Sequence, residues 1–338
     1  MKKLISLICV LAMVLALAAC GSSAPAAATE APAASAEAPA EDVSADQTFV
    51  VGICQLVQHP ALDAATQGFK DALTEALGDK VTFQEQNASG DSATCSLICN
   101  QFVSDEVDLI MANATASIQA AASATNTIPI LGTSITDYGV ALGVDNWTGV
   151  SGTNISGTSD LAPLDGQAAM IQELFPDAKT IGLLYCSGEP NSIFQADSME
   201  ALLTDMGYSV ERYTFADSND VSSVTANACS NADVLYIPTD NTAASCTEAI
   251  NNVALSAGIP IVAGEEGIAA GCGVATLSIS YYDLGRATGE MAAEILTEGA
   301  DISTMEVRFA PTFTKEYNAD ICEALNITVP DDYVAIAK

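Results

Sequence analysis

From Phe49 onward the chain alternates short, unbroken apolar runs with longer amphipathic ones, and few folds accommodate that alternation. Phe49–Gln55 (FVVGICQ) reads as a buried strand and Pro60–Leu77 as the helix after it. The pattern continues with a strand near Val81–Gln84, a helix over Ala93–Phe102 and a strand at Val107–Met111. A helix over Ser117–Thr125 and a strand at Ile128–Leu131 follow. Apolar runs without alternation, separated by helices, mark parallel strands covered on both faces.

The second half repeats the theme. Gln167–Leu174 reads as helix, Thr180–Tyr185 as strand, Asn191–Met206 as helix and Ser209–Tyr213 as strand. Helix Val221–Ala228, strand Asp233–Ile237, a helix over Ala243–Ser256 stopped by Gly258, and strand Ile259–Val262 complete it. Two successive βα series predict an α/β protein: two doubly wound parallel-sheet lobes joined by a multi-crossing hinge. The expected lobes are residues 47–158 and 159–280, with part of 281–303 returning to the first. Residues 304–338 are expected to add a strand and a helix that complete the lobes. The Gly-, Ser- and Thr-rich stretch Gly149–Pro163 is the expected crossing, with a recrossing near Ala275–Gly285.

The N-terminus predicts where this fold is deployed. Lys2 and Lys3 precede an apolar stretch, Leu4–Ala19, that ends in Leu17-Ala18-Ala19-Cys20. A charged start, a short apolar core and small residues before a cysteine describe an export signal over residues 1–19. The L-A-A-C ending resembles the lipobox of bacterial lipoproteins, which implies that Cys20 carries acyl chains; two chains are what stable anchoring requires. Residues 21–46 collapse to Ala, Pro, Ser, Glu and Thr, a composition that cannot bury enough apolar surface to order itself. Cys20 and residues 21–46 therefore read as an anchored tether.

Charge excludes one class of partner. The chain has 10 Lys and Arg against 43 Asp and Glu, a formal net charge of -33. Nucleic acid demands clustered cations, so it is not expected here. Of ten cysteines, Cys54, Cys95, Cys99, Cys186, Cys229, Cys246, Cys272 and Cys322 remain beyond the leader and the anchor. An exported location permits disulfides, but their pairing is not readable from spacing. Cys95 and Cys99 stand at helical spacing without a second half-site, and the chain has one histidine, so no metal is expected.

In parallel α/β sheets, ligands lie beyond the carboxyl ends of the strands. Applied to both lobes, this rule selects Gln55, His59, Asn113, Thr115, Ser117, Ser134 and Asp137 from the first. From the second it selects Glu189, Asn191, Ser192, Asp240, Asn241 and Glu265. Each of these segments also begins a helix, and capping alone explains any one of them. As a set they suit a zwitterion: Thr115 and Ser117 with backbone amides for a carboxylate, and Asp240, Asp137 or Glu189 for an ammonium. His59 lacks the nucleophile and orienting acid of a catalyst, and neither a nucleophile elbow nor a glycine-rich phosphate loop occurs. A non-enzymatic binding protein without cofactor is the expectation. Trp147, near the crossing, reads as surface packing, with a gate over the ligand as the minor alternative.

The tags HPALD, TSITD, TNISGTSD, LYCSGEPNS, YIPTDNT and YYDLG occur in that order from about Val50 to Pro330. In this order and spacing the chain resembles the TrpX/YckB-like substrate-binding lipoproteins of ABC transporters. The resemblance implies a type I periplasmic-binding fold that closes on a small ligand and delivers it to a permease driven by a cytoplasmic ATPase. It also implies an aromatic or hydrophobic L-amino acid as ligand, and a monomer held outside the cell membrane by its lipid. Where the family commonly has proline after TSITD this chain has Tyr138, expected to alter the pocket rim or offer a stacking ring. A sensory lipoprotein presenting solute to a membrane receptor, or a receptor for a sugar or nucleoside, would share these features.

Overall fold

The computed structural model describes residues 47–310 and 312–337; the export signal, Cys20 and the tether lie outside the described residues. The first series comprises β1 (Phe49–Gln55), α1 (Pro60–Leu77), β2 (Val81–Asn87), α2 (Ser92–Ser104) and β3 (Leu109–Asn113). It continues with α3 (Thr115–Ala124), β4 (Ile130–Ile135), α4 (Tyr138–Leu142) and β5 (Ile155–Ser159). The second comprises α5 (Leu164–Leu174), β6 (Thr180–Cys186), α6 (Pro190–Asp205), β7 (Ser209–Phe215), α7 (Val221–Cys229) and β8 (Val234–Ile237). It continues with α8 (Asn241–Ser245), α9 (Thr247–Ala257), β9 (Ile261–Ala263), α10 (Glu266–Cys272) and β10 (Ala275–Ser278). The chain ends with α11 (Tyr281–Glu298), β11 (Arg308–Phe309), β12 (Thr314–Tyr317), α12 (Ala319–Leu325) and β13 (Val334–Ala335).

Two sheets result. The first has the order β11-β5-β4-β3-β1-β2 and is parallel throughout; the second has the order β13-β12-β10-β9-β8-β6-β7, with β12 alone antiparallel to its neighbour β10. Each sheet carries its own apolar cores, such as Phe102, Ile110 and Ile118 in the first lobe and Leu184, Phe215 and Leu235 in the second. The strands that read as unbroken apolar runs are those buried on both faces, β1, β3 and β6 among them.

The chain passes between the sheets after β5, between β10 and α11, and between β11 and β12. The stretch 149–163 is less of a linker than its composition predicts. Residues Ile155–Ser159 form a fully buried strand between β4 and β11, and only Asp160–Pro163 remain for the crossing. Its small residues are there for packing: a side chain on Gly157 would meet the Gly132 carbonyl at 2.0 Å. The helix over 243–256 divides at Cys246 into α8 and α9 and ends at Gly258 in the left-handed conformation, φ 72°. After the second crossing, α11 packs along α1 so tightly that a methyl on Gly68 would meet the Tyr282 carbonyl, and one on Gly285 the Ala65 carbonyl, each at 2.0 Å.

Candidate functional site

Between the two rows of strand ends lies a narrow cavity of about 10 Å³. His59, Leu62, Ser134, Thr136, Asp160 and Tyr281 line it from the first lobe and the crossings. Asn191, Thr239, Asp240, Asn241, Ala244 and Glu265 line it from the second. With the lobes this close the space between them is about large enough for one water molecule, so a metabolite enters only when the lobes part. A wider groove, lined by Val57, Gly90, Glu189, Asp217 and Asn241 among others, adjoins it toward solvent.

Local structure explains how each side chain reaches the cavity. The β4–β5 register breaks between Gly132 and Ile135, and Ser134 takes a left-handed φ of 56°. Such a bulge re-aims a side chain, and Ser134 Oγ ends buried in the cavity wall without a partner. Beneath it the Tyr138 hydroxyl donates to the carbonyls of Gly132 and Thr158, each at 3.1 Å. Tyr138 thus braces the bulge from within the core, 1% exposed and stacked on Trp147 at 5.7 Å. It neither shapes the pocket rim nor offers a ring to the ligand, and Trp147 is occupied by that stack.

Asp160 is the residue on which the first crossing begins. It is 3% exposed; Oδ2 accepts from the Tyr281 hydroxyl at 3.0 Å, and Oδ1 has no partner. Burial pushes its carboxyl up to about 6, while the bond from Tyr281 and the nearby Thr136 hydroxyl oppose the rise. Asp240 and Glu265 are also buried acids, each pushed up to about 7 chiefly by desolvation. Their oxygens, however, are engaged. Asp240 accepts from the Ala243 and Cys186 amides at 2.8 and 2.7 Å, and Glu265 from Ile268 and Gly267 at 2.5 and 2.6 Å. Both act as helix caps, whereas Asp160 keeps one oxygen without a partner.

The other predicted residues divide. His59, Ser134, Asn191, Asp240, Asn241 and Glu265 come together on the cavity wall. Glu189 lies one layer out in the groove, accepting from Asn191, Asn241 and Thr242, and Ser192 is buried behind Asn191. Gln55 is consumed internally: Nε2 donates to Val57 O and Asp63 Oδ1, and Oε1 accepts from Thr66. Asn113 donates to Leu62 O and Thr66 Oγ1 below the cavity. Ser117 is buried against Cys54 and Cys95 at 3.7 and 3.6 Å, Thr115 begins α3 away from the cavity, and Asp137 caps α4 through Val140 N. None of these last three reaches the cavity. All eight named cysteines are free thiols.

Strand-end reasoning passes over Asp160 and Tyr281, whereas Thr136 and Thr239 lie within the strand-end segments it locates. Asp160 was legible in principle: it follows β5 as Asp240 follows β8, but the small residues of β5 read as a linker.

The lobes meet directly across the cavity, where His59 Nε2 lies 3.3 Å from Asn241 Oδ1. Over residues 50–338 the chain matches the family model of ABC transporter substrate binding proteins. The chain belongs to that family. This substrate-binding protein is 38% identical over 280 residues to a tyrosine-binding protein of Clostridioides difficile, covering 82% of this chain and 81% of that one. It superposes with a TM-score of 0.80 at 32% identity on an ABC domain from Streptococcus pneumonia in complex with L-Trp, covering 84% and 97% of the two chains. Against a ligand-free, open substrate binding protein from Clostridium difficile the TM-score is 0.66, although identity is 37%, with 86% and 99% coverage. The better fit to the liganded neighbour and the His59–Asn241 contact agree: this substrate-binding protein is described with its lobes closed. Such proteins of ABC importers work outside the cytoplasm, and among the described residues no helix is long and apolar enough to cross a membrane.

Proposed function

We propose that this substrate-binding protein receives an aromatic L-amino acid between its lobes and passes it to an ABC permease, tethered to the membrane through a lipidated Cys20. The observation that carries the reading is the unpartnered Oδ1 of Asp160 in a cavity closed by both lobes. A buried carboxylate with a free oxygen is matched by an ammonium. The cavity wall includes three acids and no Lys or Arg, which favours a ligand with one positive charge over a phosphate or diacid. The Ser134 hydroxyl, also unpartnered, supplies a donor for the α-carboxylate. Leu62, Ala244 and Tyr281 provide apolar wall for a side chain. Relatives that bind tyrosine and L-Trp support an aromatic one.

Ligand bridging both lobes favours the closed state through contacts absent from the open one. Calorimetry of the chain lacking residues 1–20 tests the reading against the twenty amino acids, sugars and nucleosides. A Kd in the micromolar range or tighter, about 8 kcal/mol, is expected for an aromatic amino acid. Binding of sugars or nucleosides alone would remove the amino-acid assignment. For the anchor, wild-type chain should take up labelled palmitate and fractionate with membranes, and Cys20→Ala should do neither.

A further inference from the structure

A third unpartnered atom of the cavity, Nδ1 of His59, has no role in the reading above, on which this inference rests. The residue is 7% exposed and lines the cavity. Its ring proton is fixed by a chain of hydrogen bonds that begins at Glu189. Glu189 Oε2 accepts from the Asn241 backbone N and Nδ2 at 3.0 and 2.7 Å, and Oε1 accepts from Thr242 N and Oγ1 at 2.8 Å each. A carboxylate among so many donors only accepts, so the amide nitrogen of Asn241 must face it and the amide oxygen must face away. That oxygen is the partner of His59 Nε2, so the imidazole donates from Nε2. Burial lowers the pKa of the ring and keeps it neutral, which leaves Nδ1 as a lone-pair acceptor.

Asp160, Tyr281 and Glu265 interact at the crossing end, whereas the charges that act on His59 are Glu189 and Asp63. Asn241 belongs to both the cavity and the outer groove, so His59 stands at the end toward the groove. With an ammonium on Asp160 and a carboxylate on Ser134, the donor left for His59 is on the ligand's side chain.

We propose that His59 Nδ1 accepts a hydrogen bond from the ligand side chain, selecting aromatic amino acids with a ring N–H or O–H donor over phenylalanine. Glu189 and Asn241 are the positioning residues that hold the acceptor tautomer. Tyrosine and tryptophan, bound by two relatives, each carry such a donor. A buried acceptor left unpaired weakens binding by roughly tenfold or more.

The test is calorimetry with tyrosine, tryptophan and phenylalanine on wild type and His59→Phe, with imidazole 15N spectra of the chain's one histidine. Wild type should prefer tyrosine to phenylalanine by at least roughly tenfold, and His59→Phe should collapse that ratio. The spectrum should report a neutral Nε2–H ring whose Nδ1 resonance moves with tyrosine and not with phenylalanine. Equal wild-type affinities, a ratio unchanged in His59→Phe, or an Nδ1–H tautomer would each overturn the proposal. Should the variant fail to fold, the wild-type ratio and spectrum decide. If none of the three amino acids binds, the aromatic amino-acid reading itself falls; if all bind equally, only the role of His59 does.

Discussion

The Tyr281 hydroxyl donates to Oδ2 of Asp160 at 3.0 Å, joining the first residue of α11, at the second crossing, to the residue on which the first crossing begins. The bond holds the carboxyl in one orientation and leaves Oδ1 as the free acceptor of the cavity. Asp160→Asn removes the charge that matches an ammonium and should weaken amino-acid binding by roughly tenfold to a hundredfold. The folded state should persist, because a neutral amide relieves a buried charge of its desolvation cost. Calorimetry and thermal unfolding together check both halves; unchanged affinity would remove Asp160 from the site.

Tyr281→Phe tests the same bond from the other side. Its phenol favours the ionised form of Asp160, so its loss should raise the carboxyl above its present value of about 6. Affinity at pH 6 should fall more than affinity at pH 8. Equal losses at both pH values would mean that the phenol only packs.

Protonation should move stability and affinity in opposite directions. Asp160, Asp240 and Glu265 bind protons more tightly folded than unfolded, at about 6, 7 and 7 against ordinary carboxyl values near 4. Between these limits the native state holds more protons, so stability of the ligand-free protein falls as pH rises from about 4 to 7. His59, lowered by burial, opposes this below pH 6.5, while Glu316, also pushed up to about 7 by burial, adds to it. The melting temperature should therefore rise on acidification from pH 7.5 to 5. Affinity for an ammonium ligand should instead drop below about pH 6, as Asp160 takes up its proton, with proton release on binding measurable in buffers of different ionisation enthalpy.

Tyr138→Phe removes the donor shared by the Gly132 and Thr158 carbonyls in a buried site. Unsatisfied buried acceptors predict a loss of about 1–3 kcal/mol in urea unfolding. Because the hydroxyl braces the bulge that presents Ser134, ligand affinity should fall as well, though Tyr138 does not touch the cavity.

Gly285→Ala places a methyl 2.0 Å from the Ala65 carbonyl, and backbone cannot move aside as a side chain would. Separating α11 from α1 should cost at least about 2 kcal/mol by denaturant unfolding, the upper part of the range for overpacking. A neutral result would show that the two helices can slide without loss.

The parts of the site that were legible in the sequence are those whose local role and ligand role coincide. Asp240, Glu265, Asn191 and Asn241 stand at the strand-to-helix junctions that the apolar periodicity locates, and they reach the cavity wall because those junctions face it. Ser117 occupies an equivalent position on α3 yet faces Cys54 and Cys95, since the rotation of a helix about its axis is settled by packing. Gln55 and Asn113 point into the first lobe, where Thr66 links them.

Periodicity alone determined the two βα series, the burial of their strands on both faces and the rims from which a ligand site is built, because apolar runs can be buried only in a few layered ways. Composition set the chain's acidity, and the N-terminal pattern carries only the expectation of an anchor and tether. Only the tertiary structure decided that Ile155–Ser159 is a strand, that Asp160 keeps an oxygen free, and that His59 and Asn241 meet across the lobes. Those relations join residues up to 182 positions apart, and no local pattern encodes a contact whose two sides are brought together by the closing of the whole fold.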